Sequence, residues 1–296
     1  MKTEDIHLKY LAINQNDLLW GLAVNSVGTQ AIAPGAHYPP TGHPARYLFT
    51  EQKGRVLHEY QLLYITEGQG WFNSASLPRR VRLSRGSIFL LFPGEWHTYA
   101  PDPETGWQEY WIGFNGAVID SWTEKGFFTR ENPVVQIGLR NDIVHLYNEA
   151  IQVAGDQKSG FQQRLLGVVT HLLGLAVFYG REEAFSEVNE QINRAKIIID
   201  SDFRTIRPEE LADRLCMGYS NFRKVFKEYT GFSPARYILE VRMTHVKEVL
   251  TNSMQPIKQI AYDMGFDNYD YFFTAFRRMT GMTPGAYRDM TQGKKL

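Results

Sequence analysis

The chain of 296 residues has one cysteine, Cys216, which excludes an intrachain disulfide and any cysteine metal cluster. It also lacks net charge, with 32 Lys+Arg against 32 Asp+Glu, so as a whole it does not show the basic excess of a nucleic-acid binder. The N-terminus, Met1-Lys2-Thr3-Glu4-Asp5, lacks the apolar run of a signal peptide. The most hydrophobic stretch, 165–179, contains His171 and falls short of the roughly 18 apolar residues of a membrane span. Together these absences predict a cytoplasmic protein with no membrane partner. Cys216, beside Met217, is expected to be a small core filler. The chain has neither triad spacing for nucleophilic catalysis nor a phosphate-cradling glycine loop; Gly68-Gln69-Gly70 reads as a hairpin turn. No cofactor is expected.

The length suggests two domains, and charge separates them. Residues 1–187 carry 15 Lys+Arg and 19 Asp+Glu, a net −4, whereas 188–296 carry 17 and 13, a net +4. The sign suits a basic C-terminal binding module. From Trp20 to about Asn115 the pattern is strand-like, with aromatic and β-branched runs at 60–66, 80–83, 87–92 and 108–112. Turn signals separate them at 84–86, 93–94 and 101–103, which predicts a barrel or sandwich. From about Leu139 the period becomes helical, with Ile143, Leu146, Tyr147 and Ile151 on one face. A second helix, from about Phe161 to Tyr179, is apolar nearly all round. Packing within the chain and pairing with a second copy both account for it. The polar stretch 181–187 reads as a linker, and everything after it as helical.

The last hundred or so residues contain an internal repeat. One copy runs Leu211-Ala-Asp-Arg-Leu215, then Phe222 to Gly231, then Ser233-Pro234; the other runs Ile260-Ala-Tyr-Asp-Met264, then Phe272 to Gly281, then Thr283-Pro284. Each copy has the logic of a helix-turn-helix. Ala212 and Ala261 let a partner helix come close, Pro208 and Pro256 suit helix starts, and Gly218 and Gly265 lie in the connections. Ser220 and Asp267 are N-cap candidates, and Gly231 and Gly281 fit helix ends. The second helices bury Phe222, Val225, Phe226 and Tyr229 in one copy, and Phe272, Ala275, Phe276 and Met279 in the other. Their opposite faces offer Ser220, Asn221, Arg223, Lys224 and Lys227, then Asn268, Asp270, Thr274, Arg277 and Arg278. Cationic and amide groups of this kind suit phosphates and base edges. The helix between the copies, from Pro234 to about Ser253, has an apolar stripe of Val241, His245, Val246, Val249 and Leu250. At 1.5 Å per residue it spans roughly 28 Å, near the roughly 34 Å of one DNA turn.

The string Ile260-Ala261, Gly265-Phe266, Tyr271-Phe272, Phe276-Arg277 and Gly281-Met-Thr-Pro284 closely resembles the AraC/XylS family of bacterial transcription regulators. The resemblance runs from about Val188 to Arg288. Lys224 and Thr274 stand where that family usually has an Arg, and Thr274 is a departure. Residues 60–70 and 86–97 resemble the cupin-type effector domain often attached to the family. The resemblance implies that Arg55, Tyr99, Glu109 and Trp111 line a sugar pocket, and His97 joins them. Glu109 and Trp111, two apart on a strand, share a face, and a carboxylate beside an aromatic ring suits a polyhydroxylated ligand. Core packing of Trp111 with solvated Arg55 and Glu109 is the alternative. Metal is not expected. Cupin metal sites need two His one residue apart, with a carboxylate and a third His, but Tyr60 stands two residues after His58.

The expectation is a multi-domain α+β protein. It comprises a cupin-like β-barrel (1–137), a helical dimerisation segment and linker (138–187), and an all-α domain with two helix-turn-helix units (188–296). It would bind promoter DNA as a homodimer, activate transcription under control of a sugar-like effector, and contact RNA polymerase. Two alternatives remain: a barrel without ligand that serves dimerisation or partner contact, and a metal-dependent cupin enzyme fused to DNA-binding units.

Overall fold

The computed structural model describes residues 7–40, 44, 47–184 and 186–293. It divides into two compact units, 1–184 and 185–296. The first contains β1 (His7–Tyr10), α1 (Gln15–Leu19), β2 (Ala23–Ile32), β3 (Arg55–Val56), β4 (Tyr60–Ser74), β5 (Val81–Ser84), β6 (Ser87–Leu91), β7 (Trp96–Pro101), β8 (Trp107–Asn115), α2 (Ala117–Glu124), β9 (Val134–Gln136), α3 (Asn141–Asp156) and α4 (Phe161–Ala184). All pairings are antiparallel, in the order β1-β2-β8-β4-β6-β9, with β7 joining β3 to β4 and β5 lying beside β4.

Strand β4 joins the two parts of the barrel wall. Its first half pairs with β6 and β8, and its second half with β5 and β7. The expected hairpin turn at Gly68-Gln69-Gly70 is therefore a bend inside one strand of 15 residues. A register shift between Ile65 and Glu67 starts the bend, and Gly68 sits at φ +76°. A Cβ on Gly68 would lie 2.0 Å from the Gly106 carbonyl oxygen, and one on Gly70 would lie 2.3 Å from that of Ala100. These glycines serve close backbone approach, which a sequence pattern does not separate from a turn.

Strand alternation gives the barrel wall two apolar faces. Leu62, Tyr64, Ile88, Leu90, Ile112 and Phe114 pack outward against α3 and α4. Leu63, Ile65, Phe89, Leu91, Trp107 and Trp111 point inward. Helix α3 buries Ile143, Leu146 and Tyr147, with Ile151 half-buried. Helix α4 outruns the expected apolar stretch: Phe161–Arg181 is long and apolar enough to cross a membrane by length and composition. Here Leu165, Val168, Val169, Leu172, Leu173 and Ala176 cover the barrel core. The helix is not apolar on every side, because Arg164, Gly167, His171, Gly174 and Phe178 form an exposed stripe. The expected linker falls on the end of α4 and the start of the next helix, with Phe185 outside the described residues.

The second unit contains α5 (Ser186–Asp202), α6 (Pro208–Arg214), α7 (Tyr219–Thr230), α8 (Pro234–Asn252), α9 (Ile257–Asp263), α10 (Tyr269–Thr280) and α11 (Pro284–Thr291) around one core. Helices α6 and α7 form one helix-turn-helix, α9 and α10 the other, and α8 joins them. Ala212 and Ala261 are fully buried at the helix crossings, and Gly231 and Gly281 end the second helices at φ +79° and +76°. Cys216 is not a core filler. It is exposed at φ +54°, at the tight turn that ends α6, where the other copy has Gly265 at φ +81°. A residue in that left-handed turn points its side chain out of the helix pair. The N-caps also differ from expectation. Gly218 precedes α7, so Ser220 lies inside it, and Asn268 rather than Asp267 caps α10, accepting from Tyr271 N at 2.9 Å.

Candidate effector pocket and DNA-binding surface

Register brings the barrel residues together. Arg55 on β3 pairs with His97 on β7, and Tyr99 follows two residues later on the same face. On β8, Glu109 lies between Gln30 and Ile65, and Trp111 between Gly28 and Leu63. Gly28 is needed there: a Cβ would come within 2.4 Å of the Trp111 ring, so the indole lies flat on β2 only because that side chain is missing.

Arg55 is heavily engaged. Its Nη2 donates to Tyr99 Oη at 2.6 Å and to Gln61 Oε1 at 3.5 Å, its Nη1 donates to the Tyr47 carbonyl, and its guanidinium lies 4.6 Å from the Phe49 ring centre. Its Nε donates to His97 Nε2 at 3.3 Å. Burial and the Arg55 charge push His97 down to about 3, so the imidazole is neutral and can accept that bond while Nδ1 donates to the Glu95 carbonyl. Burial pushes the Tyr99 phenol up to about 12.

Glu109 is buried and accepts from Gln30 Nε2 and from Tyr38 Oη, at 3.2 and 3.3 Å to its two oxygens. Burial raises its pKa to about 7, while the bonds from Gln30 and Tyr38 and the Arg55 charge act the other way. A second buried carboxylate, Glu59, accepts from Asn25 Nδ2 (2.7 Å), Gln61 Nε2 (2.9 Å) and Tyr47 Oη (3.0 and 3.1 Å). Arg55, Glu109 and Trp111 converge on a void of about 30 Å³ that Gln30, Tyr47 and Gln61 also line. Tyr99 and His97 stand behind Arg55 and hold it, rather than lining the void. Tyr38, Tyr47, Gln30, Gln61 and Glu59 were not anticipated. Only Gln61, a polar residue alternating with Leu63 and Ile65, left a signal in the sequence. Among the described residues no group of His, Cys, Asp and Glu could hold a metal ion.

In the second unit, Phe222 and Phe226 are buried on α7, and Phe272, Ala275 and Phe276 on α10, with Val225, Tyr229 and Met279 half-buried beside them. All ten polar candidates are exposed: Ser220, Asn221, Arg223, Lys224, Lys227, Asn268, Asp270, Thr274, Arg277 and Arg278. The Asn268 side chain is occupied as a cap, which removes one of its acceptor sites from any other partner. Tyr271, 54% exposed on the same face of α10, was not anticipated as a contact residue. Its ring leans over Phe266 from outside, with the centroids 6.4 Å apart.

Residues 24–168 match the family model of the AraC-like ligand binding domain, and residues 211–290 that of a helix-turn-helix domain. Among curated relatives, the raffinose operon transcriptional regulatory protein of Pediococcus pentosaceus is 27% identical over 81% of this chain and 88% of its own. The Msm operon regulatory protein of Streptococcus mutans is 26% identical over 92% and 94%. The lactose operon transcription activator of Staphylococcus xylosus is 26% identical over 82% and 86%. With a ligand-binding barrel followed by two helix-turn-helix units, the chain belongs to the AraC/XylS family of DNA-binding transcription regulators.

Proposed function

We propose that this regulator activates transcription from a sugar-utilisation promoter when a neutral sugar or short oligosaccharide occupies the barrel. The observation that carries this reading is the convergence of Arg55, Glu109 and Trp111 on one small void. Guanidinium and carboxylate bond to hydroxyls and the indole stacks on a ring face. The names of the raffinose and lactose operon relatives support the class of ligand. A void of about 30 Å³ is far below the roughly 300 Å³ of a small-ligand pocket, so a sugar must displace Tyr38 and Tyr47 from Glu109 and Glu59 as it enters. That movement would couple occupancy to the placement of the DNA-binding unit. The chain acts by binding, not catalysis, in the cytoplasm and with RNA polymerase as a downstream partner. It pairs with a second copy through the exposed stripe of α4, where Gly167 and Gly174 have open space above them.

The experiment is a thermal-shift screen of the whole protein against mono-, di- and trisaccharides. Binding to the native state alone raises its stability by about 2.7 kcal/mol at a hundredfold excess over Kd. One sugar class should shift the melt, and Trp111→Ala or Arg55→Ala should remove the shift. The small void, with Arg55 and Glu109 already bonded, favours one second reading: a barrel without ligand that serves dimerisation. A melt unmoved by every sugar would move the assignment there.

A further inference from the structure

The DNA-binding unit holds a far larger cavity than the void in the barrel. A cleft of about 420 Å³ opens between the two helix-turn-helix modules, among Arg204, Arg207, Arg242, Thr205, Gly265 and Asp267. Three elements build it: the loop leading into α6, the first half of α8, and the turn between α9 and α10. Arg242 ties them together. Its Nε donates to the Phe203 carbonyl (2.6 Å), its Nη1 to that of Gly265 (3.0 Å) and its Nη2 to that of Arg204 (3.0 Å). These carbonyls engage three of its five donors and carry no net charge of their own. The turn seats so closely that a Cβ on Gly265 would lie 1.9 Å from the Arg204 oxygen.

Arg204 and Arg207 flank this tie. Both are exposed, and neither has a carboxylate within ion-pair distance among the described residues. Three guanidinium groups and one carboxylate give the lining a net charge of +2. By contrast, Arg214 and Arg236 in the same unit are paired, with Asp202 and Glu210 and with Glu240.

Position decides what this charge is for. In a helix-turn-helix, the first helix crosses the DNA backbone and the N-terminal end of the second enters the major groove. The cleft touches the approach to a first helix (Arg207, Pro208) and the last residue before the cap of the second recognition helix (Asp267). Between two recognition helices seated in successive major grooves lies a stretch of sugar-phosphate backbone, and a cationic gap between the two modules suits it. We propose that the cleft is a phosphate-binding site in which Arg204 and Arg207 clamp the DNA backbone between the two grooves. The clamp reads no sequence and sets the spacing at which the two recognition helices engage.

The test is fluorescence anisotropy of the full-length protein on a random-sequence duplex, titrated at several salt concentrations. Each lost phosphate contact lowers the slope of log affinity against log salt by about 0.9. Arg204→Ala with Arg207→Ala should lower it by about 1.8, so that affinity falls roughly twelvefold less across a fourfold rise in salt. Arg204→Lys with Arg207→Lys should keep the slope. Asp267→Asn should tighten binding, a gain that misfolding cannot imitate. An unchanged slope in the double alanine variant, with its melt intact, would overturn the proposal. A second arm separates free phosphate from DNA. If inorganic phosphate at matched ionic strength stabilises the wild type but not the double variant, while the DNA slopes agree, the cleft holds a small anion instead.

Discussion

Glu109→Gln should release the barrel from a pH-dependent penalty. Burial lifts the folded-state pKa of this carboxyl from 4.5 to about 7. Between those values the folded protein binds a proton that the unfolded chain has lost. The stability this group contributes is therefore complete below about pH 4.5 and is lost as pH rises through about 7. At about 1.4 kcal/mol per tenfold change in proton affinity, the loss is about 3 kcal/mol. The tryptophans isolate the effect, because all six (Trp20, Trp71, Trp96, Trp107, Trp111 and Trp122) lie in the first unit. Urea titrations followed by tryptophan fluorescence therefore report the barrel even though the chain has two units. The glutamine keeps the shape and cannot ionise. The unfolding free energy of wild type minus that of the variant should fall by about 3 kcal/mol between about pH 4.5 and about pH 8. A difference that stays flat across this range would show that Glu109 titrates as a solvated carboxylate, and the closed geometry around it would be wrong.

Other consequences follow from individual contacts. Gly28→Val places side-chain atoms within the Trp111 ring, so sugar-induced melting shifts should disappear while duplex binding persists, as paired thermal-shift and anisotropy assays would show. Gly265→Ala forces a Cβ against the Arg204 carbonyl at φ +81° and should cost at least about 2 kcal/mol, lowering the melt of the helical unit by calorimetry. Gly285→Ala, whose nearest atom is 3.7 Å away, should be neutral in the same experiment. His171→Glu with Phe178→Glu puts four carboxylates into a symmetric α4 interface and should give monomers in sedimentation velocity, with the barrel melt unchanged.

Much of the fold was legible because its signals are local. The repeat shows the two helix-turn-helix modules through matched core spacings, and polar residues on the far faces of α7 and α10 all reach solvent. Strand alternation likewise placed Glu109 and Trp111 on one face of β8. What escaped depends on contacts distant in sequence. Gln30 meets Glu109 only through the β2–β8 register, and Tyr38 and Tyr47 arrive from a loop whose path no periodicity specifies. Gly68 and Gly70 read as a turn because a bend inside a long strand uses the same glycines, Gly68 for its positive φ and both for close backbone approach. Cys216 read as core because its neighbours are apolar, whereas its left-handed backbone turns it outward. The arginine cleft was invisible for the same reason: Arg204, Arg207 and Arg242 converge only once α8 is laid across both modules.

The most direct test of the whole account is selection of bound duplexes from a random-sequence pool with the full-length protein. Sequence-specific binding through two recognition helices predicts an enriched site with two short conserved blocks about 10 base pairs apart. Lys224→Ala should erase the preference in one block and Arg277→Ala in the other. Recovery of an unenriched pool, or of a single block indifferent to both substitutions, would contradict the assignment of α7 and α10 as a pair of groove-reading helices.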